Sequence, residues 1–225
     1  MKYAVAVTAI SDGDNAMLEL NKPYLENYCN KTKSDLIIFT EPKLNIADKV
    51  DKVSVHPYYG SYNYLRFEKN QVYNLFDTYD KVLRLDLDIV INPAAPNYFE
   101  LDDRFFYGTY ESDELTFNGG VILASKKHKE AFNISDIDFN SDLGILKEQN
   151  VLNQKVRELN IPFKDLGPNF NFIVNPSFEK DDVRRKAHFI HSTYIGDKRK
   201  LASMKRDIDF FYSKENRKQI WLHIV

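Results

Sequence analysis

The 225-residue chain has one cysteine, one tryptophan and no long apolar run. With Cys29 alone, no intrachain disulfide can form, and a reducing compartment is expected. The opening Lys2-Tyr3-Ala4-Val5-Ala6-Val7-Thr8 is too short to span a bilayer and has no signal-peptide cleavage pattern, so a cytoplasmic protein is expected. A formal charge of -2 gives no electrostatic reason to expect a nucleic-acid partner. Gly/Ser/Pro linkers, internal repeats and low-complexity tracts are missing too, which predicts a single domain over 1–225. Aromatic side chains are plentiful, with 14 Tyr and 16 Phe, and a Phe-rich core accounts for most of them.

Hydrophobic patterning alternates between strand and helix. Tyr3 to Ile10 reads as a buried first strand, closed by the turn residues Ser11-Asp12-Gly13-Asp14. A helix follows, with Pro23 as its expected start and Tyr24, Leu25 and Tyr28 on one face. Leu36 to Phe39 and Lys52 to His56 suggest short strands, and Tyr62 to Phe76 one amphipathic helix. Lys81 to Leu85 is a strand that runs into Asp86-Leu87-Asp88. Further strands are expected over Phe105 to Tyr110, Val121 to Ala124 and Ala187 to His191. Helices are expected over Leu143 to Leu159 and from Lys198 to Tyr212, the last one basic. This alternation predicts an α/β fold with a mostly parallel central sheet covered by helices on both faces. In such sheets ligands bind at the carboxyl ends of the strands, where Asp86 and Asp88 stand.

Four features carry chemistry. Asp86 and Asp88 lie among Leu85, Leu87, Ile89, Val90 and Ile91, and alternation along a strand would put both carboxylates on one face. Two such anions in an apolar setting call for a cation, and a hard ion such as Mn²⁺ or Mg²⁺ suits them; the alternative is a solvated turn. Asn118-Gly119-Gly120 precedes a strand and allows close backbone approach to a ligand, though a plain β-turn reads the same way. Gln149 falls within the apolar stripe Ile145, Leu152, Val156 and Leu159, where its amide needs either a backbone partner or a substrate. His191 ends a late strand as a candidate third ligand, and Gly196 and Lys198 behind it could approach phosphate.

Taken in order, these motifs resemble the GT-A glycosyltransferases, especially the retaining family of glycogenin and the bacterial lipopolysaccharide galactosyltransferases. The galactosyl- and mannosyltransferases of fungal and viral glycan assembly are a similar match. The resemblance implies a nucleotide-binding half over about 1–88 and an acceptor-side half over about 89–225. It implies that Asp86, Asp88 and His191 bind the metal, that Thr8 and Ala9 meet the nucleoside, and that Arg66, Gly196 and Lys198 serve the donor diphosphate. Asn118 would line the sugar site and Gln149 would lie beneath the anomeric carbon, with Glu148 beside it as a further candidate catalytic residue. The implied substrates are a nucleotide-sugar, in particular a UDP-sugar, and an acceptor hydroxyl on a glycan, glycolipid or protein. The implied reaction is hexosyl transfer with retention. The spelling departs from the family where Gly196 and Lys198 lie farther from the histidine than usual, where Pro-Trp is missing, and where Glu148 replaces an Asp.

Two other classes compete. The Asp86-Leu87-Asp88 spelling also fits the nucleophile motif of haloacid-dehalogenase-type phosphatases, with Asp86 attacking phosphorus, although that motif belongs on a first strand. A non-catalytic carbohydrate-binding scaffold is the third. The basic run Lys198-Arg199-Lys200 with Lys205 and Arg206 allows peripheral contact with an anionic membrane or, equally, a solvated helix face.

Overall fold

A computed structural model describes residues 1–11, 14–44, 46, 62–111, 116–139, 147–174, 181–193 and 197–213. Among them nine strands form two sheets. The strands are β1 (Tyr3–Thr8), β2 (Asp35–Phe39), β3 (Lys81–Leu85), β4 (Ile89–Ile91), β5 (Phe106–Gly108), β6 (Val121–Ser125), β7 (Phe163–Asp165), β8 (Phe172–Ile173) and β9 (Phe189–His191). The larger sheet has the order β2-β1-β3-β6-β5-β7, and the smaller β4-β9-β8. In the larger sheet β1 pairs in parallel with β2 and β3, and β5 with β7, while β6 opposes both its neighbours. The mostly parallel mixed sheet expected from the sequence is therefore present.

Period-two alternation sorts the central strands onto two cores. Val5, Val7, Leu83, Leu85 and Leu123 face one layer, while Ala4, Ala6, Val82, Ile122 and Ala124 face the other. Helix α1 (Asp14–Thr32) covers the first with Leu25, Tyr28 and Cys29. The second is covered by Val72 of the short α3 (Val72–Leu75) and by Leu152 and Val156 of α4 (Lys147–Glu158). Both faces are dry, which is why β3 and β6 are buried at every position. Each such Leu or Phe contributes about 1.5–3 kcal/mol by leaving water.

Several boundaries differ from expectation. Helix α1 begins at Asp14 and holds Pro23 within it. The Asp14 carboxylate accepts from the Ile10 and Ser11 amides, and buried Met17 and Asn21 anchor the turns ahead of the proline. Tertiary packing here outweighs the amide hydrogen that Pro23 lacks. The helix expected over 62–76 is broken into α2 (Tyr62–Leu65), a 3-10 segment (Arg66–Gln71) and α3. The tighter turn aligns residues three apart. Glu68 and Gln71 thereby meet, Gln71 Nε2 donating to Glu68 Oε2 at 2.6 Å, while Glu68 also accepts from the Lys43 and Leu44 amides. Leu159, expected on an apolar stripe, lies past the end of α4 and is 47% exposed. The strand expected at 52–56, the helix start at 143–146 and Trp221 lie outside the described residues. The remaining helices are α5 (Asp181–Lys186) and α6 (Asp197–Tyr212), the latter burying Met204, Ile208 and Phe211. No described helix is long and apolar enough to cross a membrane.

Candidate metal centre and sugar site

Asp86 and Asp88 do not sit on one strand. They occupy the turn between β3 and β4, where the chain leaves the larger sheet for the smaller one. Four hydrogen bonds hold that turn. The Asp86 amide donates to Gly120 O at 2.7 Å, and the Ser192 amide donates to Asp88 O at 3.0 Å. Asn21 of α1, fully buried, donates to Leu87 O at 3.1 Å and to Ile89 O at 2.6 Å. Antiparallel pairing of Ile89 with His191 then brings the imidazole beside the carboxylates. Convergence of the two acids thus comes from sheet switching, not from strand alternation.

His191 Nε2 lies 3.2 Å from Asp88 Oδ1 and 3.6 Å from Asp86 Oδ2. One ligand atom from each of the three residues falls within a 4.8 Å group. The ring is 2% exposed, and among the described residues neither of its nitrogens has a hydrogen bond of acceptable geometry. A buried polar atom without a partner costs about 1–3 kcal/mol, so a ring nitrogen set between two carboxylates fits a group completed by a bound cation. Two hard carboxylate oxygens plus one imidazole make a donor set for a divalent ion. Gly120 makes room for the ring. A Cβ there would stand 2.2 Å from His191 Cε1 and 2.5 Å from Nδ1.

Two lysines flank the acids. Lys69 Nζ is 2.5 Å from Asp86 Oδ1, an ion pair without the alignment of a hydrogen bond, and Lys200 Nζ is 2.7 Å from Asp88 Oδ2. Burial pushes both carboxylates up, but the neighbouring charges win. Lys69 and His191 bring Asp86 below the ordinary carboxylate range, and His191 and Lys200 bring Asp88 well below it. Both acids are held ionised, as ligands must be.

The neighbouring amide cluster forms where α4 meets the turn before β6. Gln149 Oε1 accepts from the Gly119 amide at 2.8 Å, and its Nε2 donates to Glu111 Oε1 at 3.1 Å. Asn118 donates to the same Glu111 oxygen at 3.1 Å, and its Oδ1 accepts from the Gly120 amide and from Asn171 Nδ2. Asn153 copies a strand edge, accepting from Phe117 N at 2.8 Å and donating to Phe117 O at 2.9 Å. Glu148 is 3% exposed and pairs with Arg84, whose Nη1 donates to it at 2.6 Å while Nη2 donates to Gly119 O at 2.6 Å.

The remaining expected positions are placed less uniformly. Thr8 is half-buried at the end of β1, whose Val7 pairs with Leu85 just before Asp86. Ala9 is buried in a third core cluster with Met17 and Leu87, and its amide donates to Phe39 O. Arg66 opens the 3-10 segment that carries Lys69. Gly196 and the Lys198 side chain lie outside the described residues; the described α6 lysine at the acidic pair is Lys200. Sequence reasoning missed Lys69, Glu111 and Asn21. Lys69 alone left a signal, standing three residues after Arg66 ahead of the acidic strand.

No family model matches the chain, and no curated protein sequence matches it. Solved structures do. A glycosyltransferase involved in the glycosylation of the major capsid of PBCV-1 superposes with a TM-score of 0.65 at 16% identity, covering 92% of this chain and 100% of that one. The galactosyltransferase LgtC, in complex with donor and acceptor sugar analogues, gives a TM-score of 0.55 at 14% identity, over 92% of this chain and 96% of that one. The apo-form glycosyltransferase GlyE of Streptococcus pneumoniae TIGR4 gives 0.54 at 13% identity, over 96% of this chain and 64% of that one. The chain therefore has the GT-A fold of these glycosyltransferases, with an Asp-Asp-His group able to hold a metal at the carboxyl ends of its parallel strands.

Proposed function

We propose that the protein is a metal-dependent glycosyltransferase that moves a hexose from a nucleotide-sugar, taken to be a UDP-sugar, to an acceptor hydroxyl with retention. The observation that carries this reading is the buried His191 imidazole, set within 3.6 Å of two ionised aspartates with no aligned hydrogen bond among the described residues, within the GT-A fold. Asp86, Asp88 and His191 would hold Mn²⁺ or Mg²⁺. When bound, such an ion supplies Lewis-acid stabilisation of the departing diphosphate.

This chain's own residues do the rest. Residues up to about 88 would seat the nucleoside, with Thr8 and the Ala9 backbone at the end of β1. Arg66, Lys198 and Gly196 would serve the diphosphate, and Asn118 and Gln149 would line the sugar. The polar groups near the sugar are already engaged: the Gln149 oxygen by the Gly119 amide, Glu148 by Arg84. Neither is free to act as a nucleophile beneath an anomeric carbon, which favours front-face attack over double displacement. Asp86 is likewise engaged with a lysine in a turn after the third strand, a poor match for a phosphatase nucleophile on a first strand. Acceptors on a glycolipid would bring the exposed Arg199 and Lys205 of α6 against an anionic membrane surface.

A thermal-shift panel of nucleotide-sugars with and without Mn²⁺ tests the reading. One donor should raise Tm only in the presence of the ion, and the Asp88→Asn variant should lose that shift, its metal affinity falling at least about a hundredfold. Release of inorganic phosphate from monoesters, or an Asp88→Asn variant with unchanged metal-dependent donor binding, would refute it.

A further inference from the structure

The acidic pair already carries two built-in cations. Lys69 Nζ lies 2.5 Å from Asp86 Oδ1, and Lys200 Nζ lies 2.7 Å from Asp88 Oδ2. With two carboxylates and two ammonium groups the cluster is formally neutral. Between the carboxylates stands His191 Nε2, without a hydrogen-bond partner among the described residues. A divalent ion seated on these three ligands would leave two positive charges in excess, both on lysines pushed off their carboxylates. Diphosphate is the ligand chemistry that absorbs that excess.

Lys69 is the more informative of the two. Its side chain and that of Asp86 are 18% and 19% exposed, so the pair opens toward solvent instead of being sealed in. The 3-10 geometry of Arg66–Gln71 stacks Arg66 one turn before Lys69 on the same face, which puts a second cation beside it. A lysine on a flexible stem suits an ammonium that must change partners, where an arginine fork would favour one fixed geometry.

Resting on the function proposed above, we infer that Lys69 is a diphosphate-binding residue and a resident competitor for the metal. Its ammonium holds Asp86 while the ion is away and passes to the diphosphate when ion and donor arrive together. The metal alone must displace an ammonium and binds weakly. With diphosphate present, the displaced ammonium gains a new partner, so each ligand strengthens the other by the same factor. The site thereby avoids holding the ion without its substrate.

The test titrates Mn²⁺ into the full chain, wild type and variants, with and without UDP or GDP, following the free-ion electron paramagnetic resonance signal. In Lys69→Met and in Lys69→Gln, Mn²⁺ alone should bind about tenfold tighter, and its tightening by the nucleotide should shrink by about tenfold. Lys69→Arg keeps the charge but favours one fixed geometry, and should retain only part of the coupling. Unchanged or weaker Mn²⁺ binding by both variants without nucleotide, or unchanged coupling in both, overturns the inference. A wild-type chain that binds no Mn²⁺ with either nucleotide overturns the proposed function itself, and the inference with it.

Discussion

The acidic turn and the amide cluster lie side by side, yet the chain satisfies them in opposite ways. Around Asn118 and Gln149, Glu111, Asn171 and the Gly119 and Gly120 amides engage both side-chain oxygens and both side-chain nitrogens. Around Asp86 and Asp88, charge is balanced but bonding is not: the His191 nitrogens have no hydrogen-bond partner among the described residues. Engaging both amides rigidifies the floor of a site, although Asn171 Oδ1 and Arg84 Nε at its margin have no hydrogen-bond partner among the described residues. On the function proposed above, the first region positions the sugar and the second takes up the ion.

The strongest way to break the amide side is through the ion pair beneath it. Glu148→Gln removes the charge partner of Arg84, both members being 3% exposed or less. Leaving a buried guanidinium uncompensated should cost about 3–5 kcal/mol, read as a lower urea midpoint. The double variant Arg84→Met/Glu148→Leu should recover much of that loss. A Glu148→Gln chain as stable as wild type would show that the pair does not support the floor.

Gly120→Ala strikes the boundary between the two regions. The added Cβ would press within 2.2 Å of His191 Cε1, and the ring must turn. Overpacking should cost about 1–3 kcal/mol of stability. Metal affinity should fall by about 10–100-fold, and the same Cβ, 3.0 Å from Asn118 Oδ1, presses on the edge of the amide cluster as well. Equal Mn²⁺ affinity in this variant would mean that the imidazole is not a ligand.

Titration separates the acidic turn from the rest of the fold more gently. Burial holds His128 and His188 below the ordinary histidine value, so the folded state resists their protonation. The unfolded chain takes up protons first as pH falls below about 6.5, and stability should decline from there. Asp88 is also held low, but its contribution is kept until pH falls below about 3.9 and is lost only under that value. Urea midpoints from pH 7.5 to 3 should therefore show two separate losses. A flat profile between pH 7 and 5 would mean that the two imidazoles gain no protection from burial.

Much of the fold was legible because its signals are local. Runs such as Val121 to Ser125 are apolar throughout and mark strands buried on both faces, and the α6 periodicity matched the helix seen. The two-residue β8 and the exposed-edge β7 carry too few residues for any period to register. Pro23 misplaced the start of α1, since proline's preference for a first helical turn is visible in sequence while the burial of Met17 and Asn21 is not. Asp86, Asp88 and His191, which the fold groups, stood out by residue type and order, as did Asn118 and Gln149, which it joins through Glu111. Their partners were not: Lys69, Glu111 and Asn21 are ordinary letters until the chain folds.

The residue string alone specified a mostly parallel α/β chain with an acidic pair at a strand end and a histidine far behind it. Periodicity and burial are statistical properties of neighbours along the chain, and they survive without tertiary contacts. How the acids come together was decided in three dimensions, by a turn between two sheets and by β9 laid antiparallel on β4. So was the choice of Lys200 at Asp88 and Lys69 at Asp86, because ion pairs depend on distances of a few ångströms between residues far apart in sequence.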